Sequence, residues 1–446
     1  MILHAKVLIM LKVMGFKHRL SSALLLVLLL GLTMAAQPAT ARVYLDITSP
    51  EMRKIAMAVP PMADQLQPDQ TTGDGRRMAD IMSRALEFHG FIEMIEPQLY
   101  GERQEANWSR HGAEFVVLGR YRHSADGLNL ELRLLDIDAG RMIHGRRYQA
   151  PREQLRQLLL RFTDEVVEVL TGEKGVSQSR IAFVSDASGD KEIYLADILG
   201  DDIRRVTYHQ DLAVAPRFTP DGRGLAYTSY HRGNANLYQT DIRELKTTRA
   251  ISRWVGLNIT PSWPPAGDQM VLTLSRDDNP DLYLTDTQGQ IIRRLTHGEG
   301  VNVSPSFAPD GRRLAFVSDR SGTPQIYIMD LRTMAVQRLT FQGNDNTTPS
   351  WSPDGRWIAY TGRHEGVLHI FIIRPEGGPP IQVTRSWGHH ETPSWSPDSR
   401  QLVFSRLRHE HEQLCTILLN GRNLRVLFSD EPGNHSMPQW SPRLQR

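Results

Sequence analysis

The chain has 446 residues, with 52 lysines and arginines against 50 aspartates and glutamates, a formal charge of +2 and one cysteine. A balance this close to neutral gives no electrostatic footprint for a nucleic acid. A single cysteine excludes an intrachain disulfide framework.

Residues 1–41 hold Lys6, Lys12, Lys17 and Arg19 but no acidic residue, then the apolar run 23–30 and the ending Ala39-Thr40-Ala41. A positive start, an apolar run and small residues at the end mark a secretory signal, expected to be cleaved after Ala41. The expected mature chain begins at Arg42 with 48 basic against 50 acidic residues, a formal charge of −2. The apolar run falls short of the roughly 20 residues a spanning helix requires. No cysteine stands at the cleavage point for lipid attachment, and Met14 makes a more ordinary start for such a signal than Met1. An exported protein free of the membrane is expected.

Residues 42–172 read as an α/β domain. Its first segment, Arg42-Val43-Tyr44-Leu45-Asp46-Ile47-Thr48, alternates Val43, Leu45 and Ile47. Such a segment either pairs inside its own domain or adds a strand to a partner's sheet edge. Residues 54–59 read as a strand, and 75–89 as an amphipathic helix with Met78, Ile81, Met82, Ala85 and Leu86 on one face. Strands follow at 114–119 and 128–135, with a hairpin turn at Asp138-Ala139-Gly140 into 142–148. A helix over 151–170 carries Leu155, Leu158, Leu159, Phe162, Val166, Val169 and Leu170 on its stripe and is closed by Gly172. Residues 173–180 form a short linker.

From residue 181 the period changes. Pro-x-aromatic recurs at Pro216-Arg217-Phe218, Pro261-Ser262-Trp263, Pro305-Ser306-Phe307, Pro349-Ser350-Trp351, Pro393-Ser394-Trp395 and Pro438-Gln439-Trp440, with spacings of 45, 44, 44, 44 and 45 residues. That period belongs to four-stranded propeller blades rather than helical repeats. The phrase usually runs on into Pro-Asp-Gly, as at Pro220-Asp221-Gly222 and Pro353-Asp354-Gly355, where proline presets the turn and glycine completes it. The repeats predict an all-β six-bladed propeller over 181–446. The region opens on a second strand and ends on a first, so residues 438–441 are expected to complete the blade begun at Ile181 and close the ring. One aromatic per blade in one register predicts filling between blades rather than a stacking site. Cys415 falls in a third strand and is expected in the core.

Chemistry-bearing motifs are scarce. The chain has no Gly-x-Ser-x-Gly elbow, no phosphate loop and no His-Glu-x-x-His helix, and Gly73-Asp74-Gly75 breaks from a dinucleotide phrase at Met78. Asp277-Asp278-Asn279-Pro280-Asp281 resembles a calcium loop but has Leu282 where glycine is required, which favours a solvated turn. His389-His390 and His409-Glu410-His411 are either surface histidines or a pair sharing one metal ion. A polar column precedes the prolines: Asn258 and Thr260, Asn302 and Ser304, Asn346 and Thr348, His390 and Thr392, with His435 in the last repeat. These residues either cap turns or ring one mouth of the channel and grip a partner. Ala213-Val214-Ala215 lacks the pattern, so a symmetric ring of contacts is not expected.

A signal, an α/β domain and six repeats of Pro-Ser-Trp-Ser-Pro-Asp-Gly type ending on Pro-Gln-Trp-Ser-Pro resemble the TolB family of the periplasmic Tol-Pal system over the whole mature length. The resemblance implies a non-enzymatic adaptor without a cofactor or metal. It would link the lipoprotein Pal at the outer membrane to TolA at the inner membrane, supporting outer-membrane integrity and invagination during cell division. It also implies that Pal docks at the propeller mouth, here Asn258, Thr260, Asn302, Ser304, Asn346, Thr348, His390 and Thr392. TolA would meet the mature N-terminus, here Arg42, Val43, Tyr44, Leu45, Asp46, Ile47 and Thr48. The alternatives are the propeller of a peptidase-like hydrolase, against which the front domain carries no nucleophile motif, and a carbohydrate- or peptide-binding propeller unrelated to Tol proteins.

Overall fold

The computed structural model describes residues 53–67, 70–101, 104–124, 127–245 and 248–444. The expected signal and the segment Arg42–Thr48 lie outside them.

The N-terminal part is a mixed sheet of β1 (Ile55–Ala58), β2 (Ala63–Asp64), β3 (Ile92–Met94), β4 (Phe115–Ser124), β5 (Gly127–Asp136) and β6 (Arg141–Ala150). Its order is β3-β1-β4-β5-β6, with β2 on β4. Helix α1 (Gly73–Phe88) carries the chain from β1 to its parallel neighbour β3. Thr72 caps α1 by accepting the Gly75 N–H at 3.1 Å. A Cβ on Gly75 would lie 2.2 Å from the Met62 carbonyl oxygen, so this glycine serves close packing rather than a phosphate. The buried face of α1 includes Met78, Ile81, Met82, Ala85 and Leu86, as the periodicity predicts.

Helix α2 (Leu155–Thr171) packs beside α1 and stops at Gly172, whose φ of 82° and N–H bond to the Glu168 carbonyl make a left-handed cap. Its buried face departs from the expected stripe. Leu160, Thr163, Asp164 and Val167 are inside, Leu155 and Leu158 only half-buried, and Val169 exposed. The cause lies in residues 173–180, which cross the helix: the Asp164 carboxylate accepts the N–H groups of Ser177 (2.7 Å) and Gln178 (3.2 Å). His89, just past α1, accepts the Val176 N–H at 3.1 Å. A buried carboxylate supplied with two amide donors is stable where periodicity alone places apolar residues.

The remainder is six four-stranded antiparallel sheets. The innermost strands are β10 (Ala213–Phe218), β14 (Asn258–Ser262), β18 (Asn302–Phe307), β22 (Asn346–Trp351), β26 (His389–Trp395) and β30 (His435–Trp440). Five sheets run consecutively through residues 213–427. The sixth has the order β30-β7-β8-β9, with β7 (Arg180–Ser185), β8 (Glu192–Asp197) and β9 (Arg204–Arg205). His435 pairs with Ser185 and Trp440 with Ile181, so the C-terminal strand closes the ring as expected. Phe218, Trp351, Trp395 and Trp440 are buried, and Trp263 and Phe307 half-buried, within apolar clusters that join neighbouring sheets. Cys415 is buried in the same way. In the Pro-Asp-Gly turns the Asp221, Asp310 and Asp354 carboxylates accept the N–H groups of Arg223, Arg312 and Arg356 at 3.0, 2.7 and 3.0 Å.

Four strands in sequence put first-to-second and third-to-fourth turns on one face, and the other loops on the opposite face. The α/β layer sits on the first of these. Arg84 donates to the Leu199 carbonyl (3.0 Å) and to Asp201 (3.0 Å). Gln401 donates to the Phe88 carbonyl (3.2 Å), and Arg425 to the Glu87 carbonyl (2.9 Å). The loops entering the innermost strands are thereby left on the face away from this layer. No helix among the described residues is long and apolar enough to cross a membrane.

Candidate partner-binding mouth of the propeller

Each loop entering an innermost strand crosses from one blade to the next, and its backbone must find partners on the way. Asn258, Asn302 and Asn346 supply them. Asn302 donates its own N–H to the Pro280 carbonyl at 2.8 Å, and its carboxamide donates to Asp281 (2.9 Å) and to the Gly300 carbonyl (3.0 Å). The same carboxamide accepts from Arg320 at 2.8 Å. Asn346 repeats the arrangement with Gln325 (2.9 Å) and the Gln342 carbonyl (2.8 Å). Asn258 donates to three carbonyls, those of Ala235, Trp254 and Gly256.

Asn258, Asn302, Asn346 and His390 are 0 to 2 % exposed. These four expected contact residues therefore latch one blade to the next beneath the mouth, and their side chains do not face a partner. Asn offers the same donors and acceptor to a turn as to a ligand, and here the turn takes them. Thr260, Ser304, Thr348 and Thr392 do reach the half-exposed layer. All four have φ between 47° and 55°, as do Ala215 and Met437 in the other two blades. The cause is a bulge in every innermost strand, where the pairing register shifts just before the Pro-x-aromatic phrase, for example between Val303 and Ser306.

The latch at Asn302 is charged. Asp281 is wholly buried and accepts from Thr296, from Arg294 (2.6 Å) and from Asn302. Burial raises its pKa, but these hydrogen bonds together outweigh burial and hold the carboxyl below its usual range. The calcium-like phrase is thus a structural turn, with Asp277 accepting from the Tyr283 hydroxyl at 2.8 Å.

His390 occupies the corresponding place in β26. Its Nε2 lies 3.0 Å from the Ser386 hydroxyl, and its ring stacks at 5.5 Å on His369. Burial, with His369 and Arg406 beside it, pushes its pKa down from 6.5 to about 4. Below pH 6.5 the unfolded chain takes up a proton that the folded chain refuses, so stability falls as pH drops from 6.5 towards 4. We expect His390 to account for a loss of about 2 kcal/mol between about pH 7.5 and about pH 5. Urea unfolding of the parent and of His390→Asn at both pH values checks this: the variant should lose less, and equal losses would refute it.

Above the latches stands a set of residues that the repeat pattern does not single out. Tyr208, Val255, Phe341 and Trp387 lie on four of the six mouth loops and are 71, 82, 72 and 57 % exposed. Arg205 stacks over Tyr208 (4.5 Å), Arg338 over Phe341 (4.9 Å) and Arg408 over Trp387 (5.1 Å). His409 packs at 4.5 Å on Trp387. The available signal is an aromatic residue inside a loop that is otherwise polar. Exposed aromatic and arginine side chains on a rigid scaffold are the composition of protein-binding hot spots.

A closed six-bladed propeller, covered on one face by an α/β layer and, among the described residues, open on the other, defines a scaffold protein of two-part architecture. Residues 167–444 match the family model described as TolB beta propeller domain, and residues 43–143 match that of the TolB amino-terminal domain. The chain belongs to the TolB family. It is 42 % identical over 276 residues to the Tol-Pal system protein TolB of Desulfotalea psychrophila, a stretch covering 61 % of this chain and 63 % of that relative. It is 36 % identical over 264 residues to the protein of the same name from Desulfosudis oleivorans, covering 57 % and 60 %. These stretches span about three-fifths of each curated relative. The crystal structure of TolB from Acinetobacter baumannii superposes with a TM-score of 0.78 at 27 % identity, covering 88 % of this chain and 97 % of that one. Both of these curated relatives are named as proteins of the Tol-Pal system.

Proposed function

We propose that the protein is the periplasmic adaptor of the Tol-Pal system, holding Pal at its open propeller mouth and TolA through the segment Arg42–Thr48, and catalysing no reaction. In this role it links the outer to the inner membrane, supporting outer-membrane integrity and invagination during division. The observation that carries the reading is the asymmetry of the propeller. One face is occupied by the α/β layer, while the other presents Tyr208, Phe341 and Trp387, the last two on loops braced by Asn346 and His390.

Pal contacts are assigned to these aromatics together with Thr260, Ser304, Thr348 and Thr392. Asn258, Asn302, Asn346 and His390 act behind the contact by fixing the loops. Anchors held rigid before binding lose little entropy on association.

Calorimetric titration of the purified protein with Pal tests the assignment. Phe341→Ala and Trp387→Ala should each weaken binding by about tenfold or more with unchanged melting temperature. Deleting residues 42–48 should abolish TolA binding and spare Pal. If the parent protein takes up no Pal, the adaptor reading is wrong; if both alanine variants bind like the parent, the rim assignment is.

A further inference from the structure

The Pro-x-aromatic phrase brings its middle residues, Arg217, Ser262, Ser306, Ser350, Ser394 and Gln439, to one level around the propeller axis, one from each innermost strand. What this register does is set by the serines. Ser262 Oγ accepts the Phe307 N–H at 3.0 Å, Ser306 Oγ accepts the Trp351 N–H at 2.9 Å, and Ser394 Oγ accepts the Trp440 N–H at 3.0 Å. Each bond clasps a blade to its neighbour close to the axis. A hydroxyl that accepts in this way still has its own proton to give. No described group takes the protons of Ser262 and Ser306, and both residues are half-exposed towards solvent.

In one blade the serine is replaced by an arginine, and a side chain of that length at the inner edge of the ring has the axial channel as its free space. Among the described residues the Arg217 guanidinium makes a single hydrogen bond, from Nη1 to the carbonyl of Pro216 on its own strand at 2.8 Å. It carries five N–H donors and forms no ion pair with a described carboxylate. The residue is half-exposed, and partial desolvation is the one influence on its pKa, pushing it down to about 10, so no described acidic neighbour offsets the charge. A cation removed from bulk water is costly unless it is paired and hydrogen-bonded. Guanidinium donors, serine hydroxyl protons and no carboxylate make a level rich in donors and short of acceptors.

We propose that the axial channel of this protein binds a small oxyanion, of the phosphate or sulfate class, on Arg217 and the hydroxyls of Ser262 and Ser306. The planar guanidinium offers the two parallel N–H groups that such oxygens accept. The site lies within the channel and needs no partner protein, so it stands or falls independently of the adaptor reading.

The test is calorimetric titration of the purified full chain with inorganic phosphate in a buffer free of other oxyanions. Direct heats are needed because sulfate and phosphate raise the melting temperature of proteins in general by exclusion from their surface. The parent should take up phosphate saturably at one site per chain, and Arg217→Ser should bind about tenfold more weakly or worse. Arg217→Ser installs the residue four other blades carry, and in phosphate-free buffer it should melt no lower than the parent. Arg217→Lys, which keeps the charge without the fork, should fall between the two and serves should the serine variant not fold. Absence of saturable uptake by the parent, or equal affinity in both variants and the parent, overturns the proposal.

Discussion

Removing β30 by ending the chain at residue 434 is expected to abolish the cooperative native transition. β30 is the innermost strand of a sheet whose other members lie at the start of the propeller, and it pairs from His435 with Ser185 through Trp440 with Ile181. Without it β7 presents an unpaired edge to the channel, and the contacts across the ring seam are lost. The single substitution Trp440→Ala isolates part of the effect. Trp440 is 2 % exposed, meets Phe88 edge-on at 6.0 Å and donates its indole N–H to Ser179 at 2.7 Å. Its backbone N–H is the last of the serine clasps, bound to Ser394. The residue thus ties the blade that β30 closes to the neighbouring blade of β26 through its backbone N–H, and to the α/β layer through its ring. Truncating a buried tryptophan costs about 3–5 kcal/mol, and urea denaturation should read a loss of that size. A melting temperature unmoved by both changes would be incompatible with a ring closed in this way.

Asn302→Ala should destabilise by about 2–4 kcal/mol, because it strips a donor from the buried Asp281 carboxylate and leaves Arg320 and the Gly300 carbonyl short of a partner. Val255→Ser, at a side chain 82 % exposed, should change stability by less than about 0.5 kcal/mol. The contrast separates the two roles a polar column at a propeller mouth can have. If Asn302→Ala kept the parent's unfolding midpoint but lost affinity for Pal, the asparagines would be contacts after all, and the latch described above would carry no energy.

The propeller was legible because its causes are local and repeated. A turn phrase returning every 44 or 45 residues, with short β-rich runs between, leaves little freedom in strand order. Even the ring closure follows from it, since a region that opens on a second strand and ends on a first has one economical way to hide both edges. The inward face of α1 was legible for the same reason. The face of α2 was not: Asp164 is inside because Ser177 and Gln178 reach it from a segment crossing the helix.

The site followed the same division. The polar column stands out in the sequence, but whether an asparagine caps a loop or meets a partner depends on what surrounds it in space. The rim of Tyr208, Phe341 and Trp387 belongs to no repeat phrase and becomes a surface only when the loops are gathered at one face.

The amino-acid order by itself determined the number of blades, the strand that closes them and the aromatic filling between them, because turn chemistry and strand alternation act over a few residues. Tertiary structure alone decided which polar groups are buried latches and which face is covered by the α/β layer. It also decided that Arg217 is left without a counter-charge, since burial and pairing depend on neighbours that are far away along the chain.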